Sequence, residues 1–178
     1  MSSNLLFFYS VGSNPHCIVA SDFNNDGIAD LTNANLYSNS VSVLLGNRDG
    51  TFNNQVSYGT GSGPDQVGAI DLNKDGKPRL SVFNYYSGTI SVRLGNGDGT
   101  FQNPNSYYSG TGGSPDTAID FNEDGYIDLD NDGDGIISVL LGNCDESLYC
   151  NIMQARVRYK LRMPILTVME NFSISDCL

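Results

Sequence analysis

Basic residues are scarce in this sequence. Nine Lys and Arg stand against twenty Asp and Glu in 178 residues, for a formal charge of −11. A phosphate backbone would be repelled by such a surface, so nucleic acid is excluded as a partner. Charged residues make up only 16% of the chain, too few for a protein of long Glu- and Lys-rich helices. No apolar run reaches the length that spans a bilayer. The stretch Leu5-Leu6-Phe7-Phe8 has no base before it and is too short for a secretory signal, so no signal peptide is visible. Histidine occurs once, at His16, and no serine sits in a Gly-x-Ser-x-Gly elbow, which leaves the usual hydrolytic machinery without its parts. The four cysteines, Cys17, Cys144, Cys150 and Cys177, lack the CxxC spacing of a metal knuckle. A Cys144–Cys150 disulfide and free thiols both remain open.

What the sequence does have is Gly, Asn, Ser and Tyr, the composition of short strands joined by turns, and an internal repeat. Asp22-Phe23-Asn24-Asn25-Asp26-Gly27 returns as Asp71-Leu72-Asn73-Lys74-Asp75-Gly76 and again as Asp120-Phe121-Asn122-Glu123-Asp124-Gly125, a step of 49 residues each time. Leu44-Leu45-Gly46-Asn47 returns as Arg93-Leu94-Gly95-Asn96 and Leu140-Leu141-Gly142-Asn143. Asp49-Gly50-Thr51-Phe52 returns once, as Asp98-Gly99-Thr100-Phe101. Each unit reads as four strands: one ending in the Asp loop (Cys17 to Phe23), one after it (Leu31 to Leu36, Leu80 to Tyr85), a third (Val41 to Leu45, Ile90 to Leu94), and a fourth ending near Tyr58 or Tyr107. Four strands in about 45–50 residues is the size of a propeller blade. The expected fold is all-β: about three four-stranded blades forming a partial or open β-propeller, with a divergent C-terminal tail. Residues 1–143 hold the repeats, in units of about 9–57, 58–106 and 107–143, and 144–178 form the tail.

The acidic excess follows this division. Sixteen of the twenty acids lie in residues 1–143 against five of the nine bases, while the tail is balanced. Clustered carboxylates attract cations. Asp22, Asn24, Asp26 and Asp30 place side-chain oxygens at loop positions 1, 3, 5 and 9, and the Ile28 carbonyl adds one at position 7. That is the oxygen-rich set that Ca²⁺ wants, with Gly27 at the bend. No Glu stands at position 12, where Asn33 and Asn131 occur, so the loop is not an EF-hand, and weaker binding than a cytosolic sensor is expected. The third loop repeats the set with Asp120, Asn122, Asp124, the Tyr126 carbonyl and Asp128. The second keeps Asp71, Asn73 and Asp75 but has Arg79 at position 9, so it is expected to be empty of metal and braced by Arg79 pairing with its own aspartates. Asp130, Asp132 and Asp134 overlap the third loop and read as an acidic turn, with a second ion as the alternative. Asp/Asn/Gly turns without metal are the simpler account of all of these.

These motifs together resemble the FG-GAP/VCBS repeat family, the calcium-loop blades best known from integrin α-subunit propellers. The likeness covers residues 4–143. It implies a calcium-braced loop between the first and second strands, an extracellular or cell-surface location, and use in adhesion or in binding a protein or glycan. The expected function is therefore a non-enzymatic recognition or adhesion module. The alternatives are an ancillary glycan-binding module of a carbohydrate-active enzyme, or a fragment of a longer propeller protein.

Tyr37, Tyr85 and Tyr86 fall in the turns between strands two and three. They are candidates for stacking on sugar rings, and packing against a neighbouring blade is the simpler expectation. Gly59-Thr60-Gly61-Ser62-Gly63 and Gly95-Asn96-Gly97-Asp98-Gly99 precede no helix and are loops, not phosphate cradles. In the tail, Arg156, Arg158, Lys160 and Arg162 alternate with Val157, Tyr159, Leu161 and Met163. That period is a strand's, suited to replacing the fourth strand that the last copy lacks, with a charged edge. Residues 4–9 align with the same fourth strand, since Tyr9 sits where Tyr58 and Tyr107 sit. A homodimer by strand exchange, a capped single arc, and a fragment of a longer protein all remain open.

Overall fold

In the computed structural model, residues 6–71 and 75–110 are described with their side chains, together with the backbone of strands 118–119, 128–133, 136–141 and 153–158. The first repeat forms β1 (Pro15–Ser21), β2 (Asp30–Asn35), β3 (Ser40–Leu44) and β4 (Val56–Gly59). The second forms β5 (Pro64–Ile70), β6 (Arg79–Asn84), β7 (Thr89–Arg93) and β8 (Asn105–Tyr108). The third comprises β9 (Ala118–Ile119), β10 (Asp128–Gly133), β11 (Ile136–Leu141) and β12 (Met153–Arg158). Each set is one antiparallel four-stranded sheet whose strands lie side by side in chain order, so the architecture is that of propeller-type blades. No described helix is long and apolar enough to cross a membrane.

Turn chemistry sets the register. The β2–β3 turn ends on Asn39 at φ 50°, and the β6–β7 turn on Gly88 at φ 60°. These are the same repeat position, filled both times by a residue that tolerates the left-handed conformation. Beyond β3 the chain reverses through Asn47 to Thr51, where the Asn47 N–H donates to the Thr51 carbonyl at 2.7 Å. Its counterpart, Asn96 to Thr100, does the same at 3.0 Å. Val, Ile and Leu on the strands then bury against the neighbouring blade. Phe23, Ala34, Val41 and Val43 of the first blade meet Val67, Leu80, Val82 and Phe101 of the second in one cluster. Each such side chain contributes about 1.5–3 kcal/mol.

The buried strand asparagines donate in the same way in both blades. Asn35 Nδ2 donates to Ser42 Oγ at 2.9 Å, and Asn84 Nδ2 to Ser91 Oγ at 2.9 Å. These bonds offset part of the cost of burying the amides, and Asn84 Oδ1 keeps no partner among the described residues.

The third sheet differs from expectation in one place. The run from Asp128 to Gly133 is a strand, not an acidic turn, and pairs with both β9 and β11. Position in the sheet outweighs the poor strand propensity of Asp. The start of the alternating tail segment supplies the outer strand: β12 pairs with β11 from Ile136↔Arg158 to Leu141↔Met153, while Lys160 and Arg162 lie outside the described residues.

Candidate metal centre

The Asp loop of the first repeat joins β1 to β2 and is wound around its own side-chain oxygens. Asp22 accepts from the Asp26 N–H at 3.2 Å and the Gly27 N–H at 2.8 Å. Asp26 Oδ1 accepts from the Ile28 N–H at 2.8 Å, and Asn24 Oδ1 from the Asp26 N–H at 3.1 Å. The bend requires left-handed backbone at Asn25 (φ 59°) and Gly27 (φ 78°). Asp30 takes a different part. Its carboxylate is fully buried and accepts from the Phe23 N–H and the Gly46 N–H, each at 2.8 Å, tying the loop to the end of β3. Among the described residues, no group of three His, Cys, Asp or Glu side chains stands close enough to share a metal ion. The donors that the first loop gathers are the Asp22 and Asp26 carboxylates, the Asn24 amide and the main chain at Ile28.

The second loop is wound identically at its described positions. Asp71 accepts from the Asp75 N–H at 3.2 Å and the Gly76 N–H at 2.8 Å, and Asp75 from the Lys77 N–H at 2.9 Å. Here Arg79, almost fully buried, reaches back between the two carboxylates, with Nη1 at 3.4 Å from Asp71 and Nη2 at 3.3 Å from Asp75. A cation therefore sits between positions 1 and 5 of this loop, supplied by the chain. The equivalent place in the first loop, between Asp22 and Asp26, has the same carboxylates and no arginine. The first loop thus presents the same pair of carboxylates with no cation supplied by the chain.

Asn73, Asp120, Asn122, Asp124, Tyr126 and Asp134 lie outside the described residues. Asp128, Asp130 and Asp132 are described only as backbone of β10.

The turns after β3 and β7 carry carboxylates of another kind. The hydroxyl and N–H of Thr51 hold the Asp49 carboxyl below the usual range, and Thr100 does the same for Asp98. They brace turns.

At the other end of the sheets, where Pro15 pairs with Asn35, stand the aromatic candidates. Tyr37 is 67% exposed, Tyr85 43% and Tyr86 57%. Tyr86 lies over Gly63 of its own blade and meets Tyr85 edge-on at 5.5 Å. Close by in the chain fold, His16 Nδ1 lies 2.6 Å from Asp65 Oδ1. Sequence reasoning missed this pair, although the two residues occupy the same repeat position 49 residues apart. It also missed the second duty of Asp30, for which the recurring Leu-Gly-Asn segment was the available signal. A side chain at Gly46 would run into the Ala29 carbonyl, so only glycine lets its N–H approach.

No curated protein and no solved structure matches the chain. The family model for the FG-GAP-like repeat matches residues 22–82, from the first donor of loop one to the middle of β6, and over that stretch the chain is similar to an FG-GAP-like repeat.

Proposed function

We propose that this propeller-type repeat module binds Ca²⁺ in its first Asp loop and works by recognition rather than catalysis, outside the cell or at its surface. The observation that carries the metal reading is Arg79, which places a positive charge between the two carboxylates of the second loop where the first loop has acids alone. Ca²⁺ there would offset the repulsion between Asp22 and Asp26 and add ligand bonds to a loop already shaped by its own backbone hydrogen bonds. Asn24 and the Ile28 carbonyl would complete its oxygen set, and Asp30 would hold the loop against β3. The same chemistry belongs to Asp120, Asn122, Asp124, Tyr126 and Asp128 by repetition. A site of this exposed kind suits the calcium-rich exterior better than the cytosol. The recognition reading rests on the likeness to an FG-GAP-like repeat over residues 22–82.

Calorimetric titration with Ca²⁺ tests the metal reading. Asp22→Ala is expected to remove one bound ion, and Arg79→Asp to add one. Wild-type protein that takes up no Ca²⁺ overturns it.

A second reading is favoured by the exposed tyrosines. Tyr37, Tyr85 and Tyr86 offer apolar faces with polar edges, the surface on which sugar rings stack, as an ancillary glycan-binding module would use. A glycan array probed with the wild-type chain and with Tyr86→Ala decides it. The expected result is binding that the variant weakens about tenfold, and a blank array rejects the glycan.

A further inference from the structure

Tyr58 of the first blade meets Phe101 of the second edge-on, with ring centroids 5.4 Å apart at 83°. Tyr9, one repeat earlier, makes the same contact with Phe52, at 5.5 Å and 87°, and its phenol oxygen accepts from the Phe52 N–H at 3.0 Å. Residues 6–9 therefore lie against the first blade as the fourth strand of a preceding blade would, yet they belong to no strand. Other counterparts agree. Val67, which packs on the first blade, is 5% exposed, whereas Ile18 at the same repeat position is 66% exposed. The Gly99 N–H donates to the Phe23 carbonyl of the preceding blade at 3.0 Å, and a side chain at Gly99 would strike Leu45. At Gly50, its counterpart, a Cβ meets nothing within 4 Å. Leu6 and Phe8 are exposed at 77% and 87%.

We propose that this open face takes the third blade of a second copy of the chain, whose β11 pairs with residues 6–9 of the first in place of β12. The second blade cannot serve as occupant, since Phe83, Ile90 and Val92, the counterparts of Ala34, Val41 and Val43, are already buried. The three blades of these 178 residues are too few to close a ring by themselves, because propeller rings use roughly four to eight. Two copies joined reciprocally make six, related by a twofold axis, and leave only the short outer edges of the blades. The alternation in the segment suits the pairing: Leu6 and Phe8 point one way, and Tyr9 is anchored the other way on Phe52.

Light scattering across a concentration series, on the full chain, tests this. The expected mass is twice the 19.2 kDa of the chain. Ile18→Asp, which charges the open face, and Tyr9→Ala, which releases the anchor, should each raise the dissociation constant by at least about tenfold, with unchanged melting of the monomer. A wild-type monomer at every concentration overturns the proposal. So does a dimer that both variants leave intact, or an open series of larger masses.

Discussion

Arg93 and Arg79 are both nearly buried arginines at strand ends in the second blade, and they do different things because of what surrounds them. Arg79 meets two carboxylates. Arg93 meets none: it donates to the carbonyls of Gln102 and Gly59, both at 2.6 Å, and lies 5.3 Å over the ring of Tyr58. Since Gly59 ends β4, this side chain ties the outer strand of one blade to the next. Its counterpart in the first blade is Leu44, also buried. Arg93→Leu fills comparable volume but leaves two carbonyls without a charged donor. The expected loss is about 2–4 kcal/mol, from charge-assisted hydrogen bonds of about 1.5–3 kcal/mol each less the gain of an apolar side chain. Urea denaturation measures it, and an unchanged midpoint would mean that the bonds only offset the burial of the charge.

At the level of elements, how much could be read in advance depended on what decided each one. The strands of the first two repeats were legible to within about two residues, because β-branched runs and turn residues recur together and each copy checks the other. The pairing of Arg79 with Asp71 and Asp75 was legible too, since a base at a ligand position among acids has few other partners. Three things were not. β10 is a strand although half of its six residues are Asp, because its two neighbours in the sheet supply the pairing that its own propensities argue against. The turn tyrosines are exposed, and nothing in their local sequence distinguishes an aromatic that covers a blade from one that faces water. Asp30 reads as a ligand from its spacing, and what that reading did not contain is its tie to two backbone amides, one of them sixteen residues away. Long-range backbone geometry decided that, and only the glycine at position 46 hinted at it.

For the whole molecule, the governing question is what becomes of sheet edges. β11, with Ile136, Ile137, Val139, Leu140 and Leu141 in six residues, is the most apolar of the described strands, and an uncovered strand of that kind invites pairing with another chain. In the structure β12 covers it along its full length. The tail thus competes with the exchanged residues 6–9 for one edge, and the balance between them sets the state of the protein. Two properties favour exchange: the N-terminal segment matches the repeat, and it is already held beside the first blade by Tyr9. One favours the tail: it is in the same chain, so its pairing carries no cost of association. Deleting residues 144–178 removes the competitor. The expected outcome is a dimer that persists to at least about tenfold lower concentration than the full chain's, since every β11 edge is then open to a partner's strand. Adding Tyr9→Ala to the truncated chain should convert that dimer into unspecific aggregates, because the edge stays exposed while its preferred partner is no longer presented. Light scattering of the two truncated forms distinguishes these outcomes. A truncated chain that stays monomeric and soluble would mean that neither β12 nor residues 6–9 protects this edge.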